Sequence, residues 1–230
     1  MNELNAPIQF PNPESAHKSG ILCIGGELSV ERLIVAYTHG IFPWPIDGWP
    51  LTWFSPEKRT VVLPSEVHIS RSLRQFLQKK PFKVRWNTDF EQVIRRCAEP
   101  ERRKEGGSWI TQEMIDAYID LHEAGYAHSV ECWSGDQMVG GLYGVSIGAM
   151  FCGESMFYEI SNASKVAFVH LADRLNHWGF HFIDCQVKTM HMEHFGAQEW
   201  ERKVFLKALE RAVDEASPQK LWRELSLSQE

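Results

Sequence analysis

The sequence predicts an α+β protein in which a small N-terminal α/β part, residues 1–60, precedes a larger part, residues 61–230. Three observations support this prediction. The first sixty residues are rich in glycine, proline and aromatic residues, whereas the rest alternates between helical and strand periodicity. Three β-rich runs also follow one another without an intervening helix, so we expect a mixed, mainly antiparallel sheet in the larger part.

One helix with clear end signals is predicted in the N-terminal part. In the stretch ELSVERLIVAYTHG, Ser29 suits the N-cap position, apolar residues recur at helical spacing, and Gly40 suits the C-terminal end. Pro43 and Pro45 then prevent the helix from resuming. A short strand, TVVLP, leads into the larger part.

The larger part is predicted to begin with three helices, a strand and a polar loop. The loop covers residues 100–108, and Gly125 ends the third helix. The predicted helices and the strand, in chain order, are HISRSLRQFLQKK, the strand FKVRWN, DFEQVIRRCAE and TQEMIDAYIDLHEAG.

A strand meander and a second helical region follow. An amphipathic helix is expected after the meander, with Ser161 as its N-cap and Gly179 at its end. The apolar run FHFIDCQV predicts a central strand, ERKVFLKALERAVD predicts a last helix, and the residues beyond it are expected to form a polar tail. The three strands of the meander are AHSVECW, QMVGGLYGVSIG and AMFCGESMF.

Composition and cysteine usage indicate a cytoplasmic protein. The chain has 230 residues, of which 43% are hydrophobic and 23% are charged, values typical of soluble globular proteins. No apolar run approaches the ~18 residues that span a bilayer, and the N-terminus lacks an export signal. Five cysteines without a CxxC pair fit a reducing compartment. No membrane partner is therefore expected.

Positive charge is concentrated in one segment of a chain whose net charge is −6. Residues 71–85 contain six basic residues and no acidic one. A solvated helix face is one interpretation of this run. The other is a surface that contacts phosphates on a protein that otherwise repels nucleic acid. The candidate contacts with an RNA backbone are Arg71, Arg74, Lys79 and Lys80.

The stretch IDCQVKTMHMEHFGA carries the densest set of candidate catalytic groups. Asp184 and Gln186 are two residues apart on the predicted strand, so we expect them on one face and Cys185 on the other. A carboxylate in an apolar strand is costly to bury without a partner. Asp184 and Gln186 are thus either presented to a substrate, or Asp184 serves a structural ion pair or strand-end cap. Glu154, preceded by Gly153, is a second acid on an apolar strand.

Metal-dependent and thiol chemistry are not expected at this stretch. His191, His194 and Cys185 do not follow the HExxH spacing, and a strand residue and two loop residues need not converge on one ion. A nucleophilic cysteine needs a lowered pKa and a paired base, whereas a buried thiol commonly packs as a small hydrophobe. No metal ion and no cofactor is predicted. Trp44 and Trp109 lie in loops, where they either fill the core or stack on bases.

The order of elements after residue 60 is also found in acyltransferases that use acetyl-CoA. This is an analogy at the level of the fold only. Their pyrophosphate loop would fall at SNASK, residues 161–165, where its glycine pattern is missing. A scaffold of the acetyltransferase (GNAT) type is therefore expected without a CoA site.

Together, these motifs resemble the leucyl/phenylalanyl-tRNA–protein transferases of bacteria. AYxxGIFPW, GGLYGV and GESMF are long and unusual, which makes the resemblance specific. The matching stretches, in order over residues 10–197, are FPNPESA, GGELS, AYTHGIFPW, WFSP, SWIT, AYIDLHEAGYAHSVE, VGGLYGV, FCGESMF, NASK, IDCQV and HFGA.

The resemblance implies transfer of Leu or Phe, and also Met, from aminoacyl-tRNA to the N-terminal Arg or Lys of a protein, which marks that protein for degradation. It implies a small N-terminal domain, residues 1–60, and an acetyltransferase-like catalytic domain, residues 61–230. Two alternatives remain open. One is a CoA-dependent N-acetyltransferase, and the other is a non-catalytic tRNA-binding module in which Asp184 is purely structural.

Carried over residue by residue, the resemblance implies three sets of site residues. The terminal adenosine of the tRNA is expected against Tyr37, Trp44 and Trp109. The apolar pocket for the donor side chain is expected to comprise Leu142, Phe151, Met156, Leu171, Leu175 and Ile183. The polar centre that carries catalysis is expected to comprise Glu154, Asp184 and Gln186.

Overall fold

The computed structural model describes residues 8–99, 109–216 and 219–227. Within these ranges the chain has a mixed α/β architecture, with a three-stranded sheet, a seven-stranded mixed sheet and helices packed around them. The predicted polar loop at residues 100–108 lies outside the described residues. None of the described helices is long and apolar enough to cross a membrane.

The smaller sheet and one helix are formed by the N-terminal part. Its strands pair antiparallel in the order β1, β3, β2. The hydroxyl of Ser29 accepts a hydrogen bond from the Arg32 N–H, and Gly40 has a φ of 71°, so both predicted ends of the helix are confirmed. The elements are β1 (Ile21–Ile24), α1 (Val30–Thr38), β2 (Phe42–Pro43) and β3 (Thr52–Phe54).

The seven-stranded sheet has the order β10, β4, β9, β8, β7, β6, β5. Among the described strands of this sheet, β8 and β9 alone pair in parallel, and every other neighbouring pair is antiparallel, which confirms the prediction of a mixed, mainly antiparallel sheet. The predicted meander forms β6 to β8, whereas β10 was not predicted. The strands are β4 (Lys58–Val62), β5 (Lys83–Trp86), β6 (Ala127–Ser134), β7 (Gln137–Ile147), β8 (Met150–Tyr158), β9 (Phe182–Asp184) and β10 (Gln198–Glu201).

Helices cover both faces of this sheet. Helices α1, α3, α4 and α7 contribute to the core on one face, and α2, α5 and α8 contribute to the core on the other. The predicted division of the chain at residue 60 falls within β4 and stays a prediction. The remaining helices are α2 (Arg71–Gln78), α3 (Phe90–Ala98), α4 (Gln112–Glu123), α5 (Ala163–His177), α6 (Met190–Glu193), α7 (Arg202–Val213) and α8 (Gln219–Leu227).

Three local expectations were wrong. Asn162, with a φ of 71°, is the N-cap residue of α5, because this left-handed residue separates Ser161 from the first helical turn. The expected polar tail contains α8, because Trp222 is 1% exposed and anchors this helix on the sheet. The strand β9 ends at Asp184, because the chain turns away at Gln186 with a φ of 60°.

A buried ion pair joins β4, β9 and the N-terminal part. Arg59 donates from Nε and Nη2 to the two carboxylate oxygens of Asp184, at 2.8 and 2.6 Å, and both side chains are almost fully buried. Its Nη1 donates to the carbonyl oxygen of Gly40 at 2.9 Å. The guanidinium lies between the rings of Phe42 and Phe205, 4.6 and 4.5 Å from their centroids. All three guanidinium nitrogens are therefore engaged, as a buried charge requires.

Removal of either partner of this pair should destabilise the fold. We expect Asp184→Asn or Arg59→Met to lower the free energy of unfolding by about 3–5 kcal/mol, because each leaves an uncompensated buried group. The double variant Arg59→Met/Asp184→Leu should lose less free energy of unfolding than the sum of the losses of Arg59→Met and Asp184→Leu measured singly. Urea denaturation measures all of them. Arg95→Met, which breaks an exposed pair with Glu91, is the control and should cost under about 1 kcal/mol. An unfolding midpoint of Asp184→Asn equal to that of the parent would contradict this assignment.

Candidate active site

A cavity of about 370 Å³ opens where β8 and β9 separate. The two strands pair only as far as Cys152 and Asp184, where β9 ends, while β8 continues to Tyr158. The part of β8 that no longer pairs with β9, from Gly153 onward, forms one wall of the cavity and stays paired with β7 along its other edge. The end of β9, α5 and α6 provide the other walls.

The deeper lining of this cavity is apolar. Five of the six residues predicted for a donor pocket line it, and Leu175 instead lies buried in the core without reaching it. Phe168 and Met192 also line the cavity and were not predicted, because their helical positions fit core packing equally well. The five predicted lining residues are Leu142, Phe151, Met156, Leu171 and Ile183.

Two polar side chains lie together on the cavity wall. Gln186 donates from Nε2 to Oε1 of Glu154 at 2.9 Å, and the two residues are only 4% and 8% exposed. The left-handed backbone of Gln186 breaks the strand alternation, so Cys185 and Gln186 both line the cavity. The expectation that Cys185 faces away from Gln186 was therefore wrong.

The groups that donate hydrogen bonds to Glu154 within the described residues are all neutral. The hydroxyl of Tyr37 donates to Oε1 at 2.8 Å, and that of Tyr118 donates to Oε2 at 3.3 Å. The two tyrosine hydroxyls also contact each other, and because each has one proton, the three contacts have a proton each only when the Glu154 carboxyl is protonated. Burial raises the pKa of Glu154 to about 7, while the hydrogen bond from Tyr37 opposes that rise. The carboxyl is thus able to gain and lose a proton near neutral pH.

Asp184 lies behind this polar pair and not on the cavity wall. It is 1% exposed, and both of its oxygens are occupied by Arg59. The backbone N–H of Gln186 donates to Oδ1 at 2.8 Å, and Cys152 Sγ donates to Oδ2 at 3.4 Å. Asp184 therefore contacts the cavity only through its neighbours. Of the interpretations that the sequence left open, this geometry contains both the structural ion pair with Arg59 and the strand-end cap on the Gln186 N–H.

The sequence pattern missed Arg59, which no motif distinguished from the other basic residues. The only signal was that a buried acid in an apolar strand requires a cation. The partner is 125 residues away in the chain, and strand pairing brings it to the end of β9.

Two tryptophan side chains line the cavity together. The indole rings of Trp44 and Trp109 are stacked, with centroids 5.1 Å apart and an interplanar angle of 5°, and both line the cavity. Tyr37, predicted beside them, is 1% exposed and reaches the site only through its hydroxyl on Glu154. The two tryptophans and the apolar residues thus line one and the same cavity.

The predicted basic contacts lie outside this cavity. Arg71, Arg74, Lys79 and Lys80 are exposed on α2 and at its end, and none of them forms an ion pair within the described residues. Arg74 and Lys80 line a second groove, of about 830 Å³, between α2 and α5. Helix α5 borders both openings, since it contributes Phe168 to the cavity and Val169 to the groove.

Histidine and thiol groups near the cavity do not assemble into a metal or nucleophile site. Among the described residues, no three His, Cys, Asp or Glu side chains lie close enough to hold a metal ion. His191 lines the cavity, whereas His194 is exposed. Burial, and then the charge of Asp184, raise the pKa of the Cys185 thiol far above its ordinary range, which disfavours a thiolate.

Comparison with known proteins identifies the family. A family model described as leucyl/phenylalanyl-tRNA protein transferase matches residues 61–210, and a model of the N-terminal domain of the same family matches residues 26–57. A solved structure of L-PGS from Bacillus licheniformis covers 70% of this chain and 51% of its own, with 12% identity and a TM-score of 0.42.

Curated relatives extend the match over nearly the whole chain. The leucyl/phenylalanyl-tRNA–protein transferase of Myxococcus xanthus is 50% identical over 95% of this chain and 93% of its own length. The proteins of the same name from Oleidesulfovibrio alaskensis and Stutzerimonas stutzeri are 50% and 49% identical, each over 91% of this chain and over 87% and 93% of their own. The chain therefore belongs to the leucyl/phenylalanyl-tRNA protein transferase family.

Proposed function

We propose that this protein transfers Leu or Phe, and also Met, from aminoacyl-tRNA to the N-terminal Arg or Lys of an acceptor protein, which marks the acceptor for degradation. Family membership supports the reaction type. The observation that carries the assignment in this chain is one cavity that combines an apolar pocket with the buried Glu154–Gln186 pair. The reaction takes place in the cytoplasm, as the free cysteines indicate.

The apolar pocket selects the side chain of the donor. Leu142, Phe151 and Met156 present hydrocarbon, sulfur and aromatic surface to a cavity that suits an aliphatic or aromatic side chain. A charged or strongly polar aminoacyl group would lose its hydration there without a partner. An outer face of the stacked Trp44–Trp109 pair offers a platform for the terminal adenine next to this pocket.

The reaction itself is the aminolysis of an ester. The acceptor nitrogen forms a bond to the ester carbonyl carbon, the bond from that carbon to the ribose oxygen breaks, and the proton lost by the nitrogen ends on the ribose oxygen. Glu154 is the group that holds this proton in between, because its pKa of about 7 suits both steps. Alignment of the two substrates supplies most of the remaining acceleration.

Gln186 and Asp184 hold Glu154 in place. The amide of Gln186 donates to Glu154, and its backbone N–H is anchored on Asp184, so the Arg59–Asp184 pair orients the polar centre from behind. Asp184 thus acts on catalysis through Gln186. A carboxylate on the cavity wall also favours a cationic acceptor N-terminus over a neutral or acidic one.

Two alternatives make different demands on the site. A CoA-dependent N-acetyltransferase on a GNAT-type scaffold would need a glycine-rich pyrophosphate loop at residues 161–165, which read SNASK. A tRNA-binding module without catalysis would not need a carboxyl group of raised pKa beside an apolar pocket. Incubation with charged tRNA and an Arg-initiated peptide, followed by detection of the extended peptide, distinguishes the three functions.

Met156→Ala tests the donor pocket. We expect it to lower kcat/KM for a Leu donor by an amount equivalent to about 1–3 kcal/mol, because the shortened side chain no longer touches the donor. The decrease for an alanyl donor should be much smaller. Val169→Ala, on the opposite side of α5, is the matched control and should leave donor preference unchanged. Equal decreases for Leu, Phe and Ala donors would show that Met156 is only a core residue.

Glu154→Gln tests the proton acceptor. The parent rate should fall as the pH drops through about 7, because protonated Glu154 cannot accept a proton. The variant should lose about 10²-fold or more in kcat and should also lose this pH inflection. Single-turnover rates across a pH series measure both effects. Glu210→Gln, at an exposed carboxylate on α7, is the control. A variant that retains the parent profile would rule out this role.

Replacement of Arg74, Lys79 and Lys80 by Ala tests the basic segment on α2. Binding of tRNA should weaken, and the slope of log K against log salt should flatten by about 0.7–0.9 for each phosphate that the variant no longer neutralises. Transfer from a minimal aminoacyl-adenosine donor should be unaffected. The triple change of Lys203, Lys207 and Arg211 to Ala on α7 removes the same charge and is the control. An unchanged salt slope would disprove the role of this segment.

A further inference from the structure

The first turn of α5 lies at the edge of the cavity and has no side-chain cap. Asn162 occupies the N-cap position in a left-handed conformation and makes no capping hydrogen bond. The N–H of Ala163 donates to the carbonyl oxygen of Ile160. The N–H of Val166 donates to the carbonyl oxygen of Asn162. Within the described part of the chain, the N–H groups of Ser164 and Lys165 have no acceptor. A 15-residue helix therefore presents two free donors at its positive end.

Ser164 adds an unpartnered hydroxyl at the same place. The residue is 3% exposed and lines the cavity. No hydrogen bond to its hydroxyl exists among the described residues. Since Ser164 Oγ is not among the fully buried atoms without a partner in the described residues, it is reached from the cavity, and a ligand there can hydrogen-bond to it.

Lys165 and His191 place further donors around this turn. Lys165 is half-buried and has no ion-pair partner in the described residues. His191 lines the cavity, and its Nε2 is buried without a hydrogen-bond partner. Burial of the ring first, and then the positive charge of Lys165, lower the pKa of His191.

The backbone of this turn is held rigidly. A Cβ at Gly140 would lie 2.5 Å from Cβ of Ala163, so the glycine permits α5 to approach β7 closely. Cys132 Sγ donates to the carbonyl oxygen of Ala163 at 3.3 Å. The donors of the turn are thus preorganised before any ligand arrives, which lowers the entropic cost of binding.

We propose that the first turn of α5, with Ser164, Lys165 and His191, binds the phosphate that is attached to the 5′ oxygen of the donor's terminal nucleoside. A helix N-terminus with a lysine is suited to an anion, and charge-assisted hydrogen bonds are the strong ones. Of the two substrates, only the RNA is an anion, because the acceptor N-terminus is cationic. This inference rests on the proposed use of an aminoacyl-tRNA, whose terminal base it places on the same cavity at Trp44 and Trp109.

The test compares two donors that differ only in this phosphate: 3′-phenylalanyl adenosine and its 5′-monophosphate. For the parent we expect a KM about tenfold lower for the phosphorylated donor, as for one charge-assisted hydrogen bond. Lys165→Met should abolish this difference, while KM for the unphosphorylated donor and both kcat values stay within about twofold. Lys165→Arg should retain the preference. Lys203→Met, an exposed lysine on α7, is the matched control.

Equal KM values for the two donors in the parent would overturn the proposal. It would also be overturned if Lys165→Met weakened both donors to the same extent, since that indicates a structural role. Equilibrium binding of adenosine 5′-monophosphate and of adenosine repeats the comparison without transfer, and equal affinities would again disprove the site. Failure of the proposed function looks different, because the parent would then extend no peptide even with charged tRNA.

Discussion

The buried ion pair between Arg59 and Asp184 is the constraint on which the rest of the structure depends. Two opposite charges removed from water must satisfy every donor and acceptor they carry, and here the partners come from four parts of the chain. Gly40 and Phe42 tie the N-terminal part to the sheet, and Phe205 ties α7 to it. The same carboxylate also fixes the backbone turn that presents the next side chains to the cavity.

The cavity is a consequence of that turn. Because β9 ends at Asp184 while β8 continues, the hydrogen bonding between the two parallel strands stops and the strands separate. The cavity at this gap is lined by apolar side chains from the sheet and α5 and by a glutamate of β8. A pocket and a polar centre thus arise from a single interruption of strand pairing. Sites at the carboxyl ends of parallel strands follow the same physical logic.

Two acids in apolar strands have opposite environments in this site. Asp184 faces a guanidinium, which stabilises its charge, and it makes no direct contact with the cavity. Glu154 has neutral donors in the described part of the chain, and burial raises its pKa to about 7. The sequence pattern predicted that both acids matter, because a buried carboxylate needs a partner. It could not distinguish their roles, because the partner of Asp184 is 125 residues away and that of Glu154 includes Tyr37 on α1.

Local interactions are what the sequence determined by itself. The cap at Ser29, the glycine that ends α1, the meander of β6 to β8 and the basic segment of α2 all depend on residues a few positions apart, and each follows from propensity or periodicity. Tertiary structure alone decided the cation at Asp184, the left-handed turn at Gln186, the stacked tryptophans and the docking of α8 through Trp222. These features result from interactions between distant segments, where burial and the need to satisfy polar groups outweigh local preference.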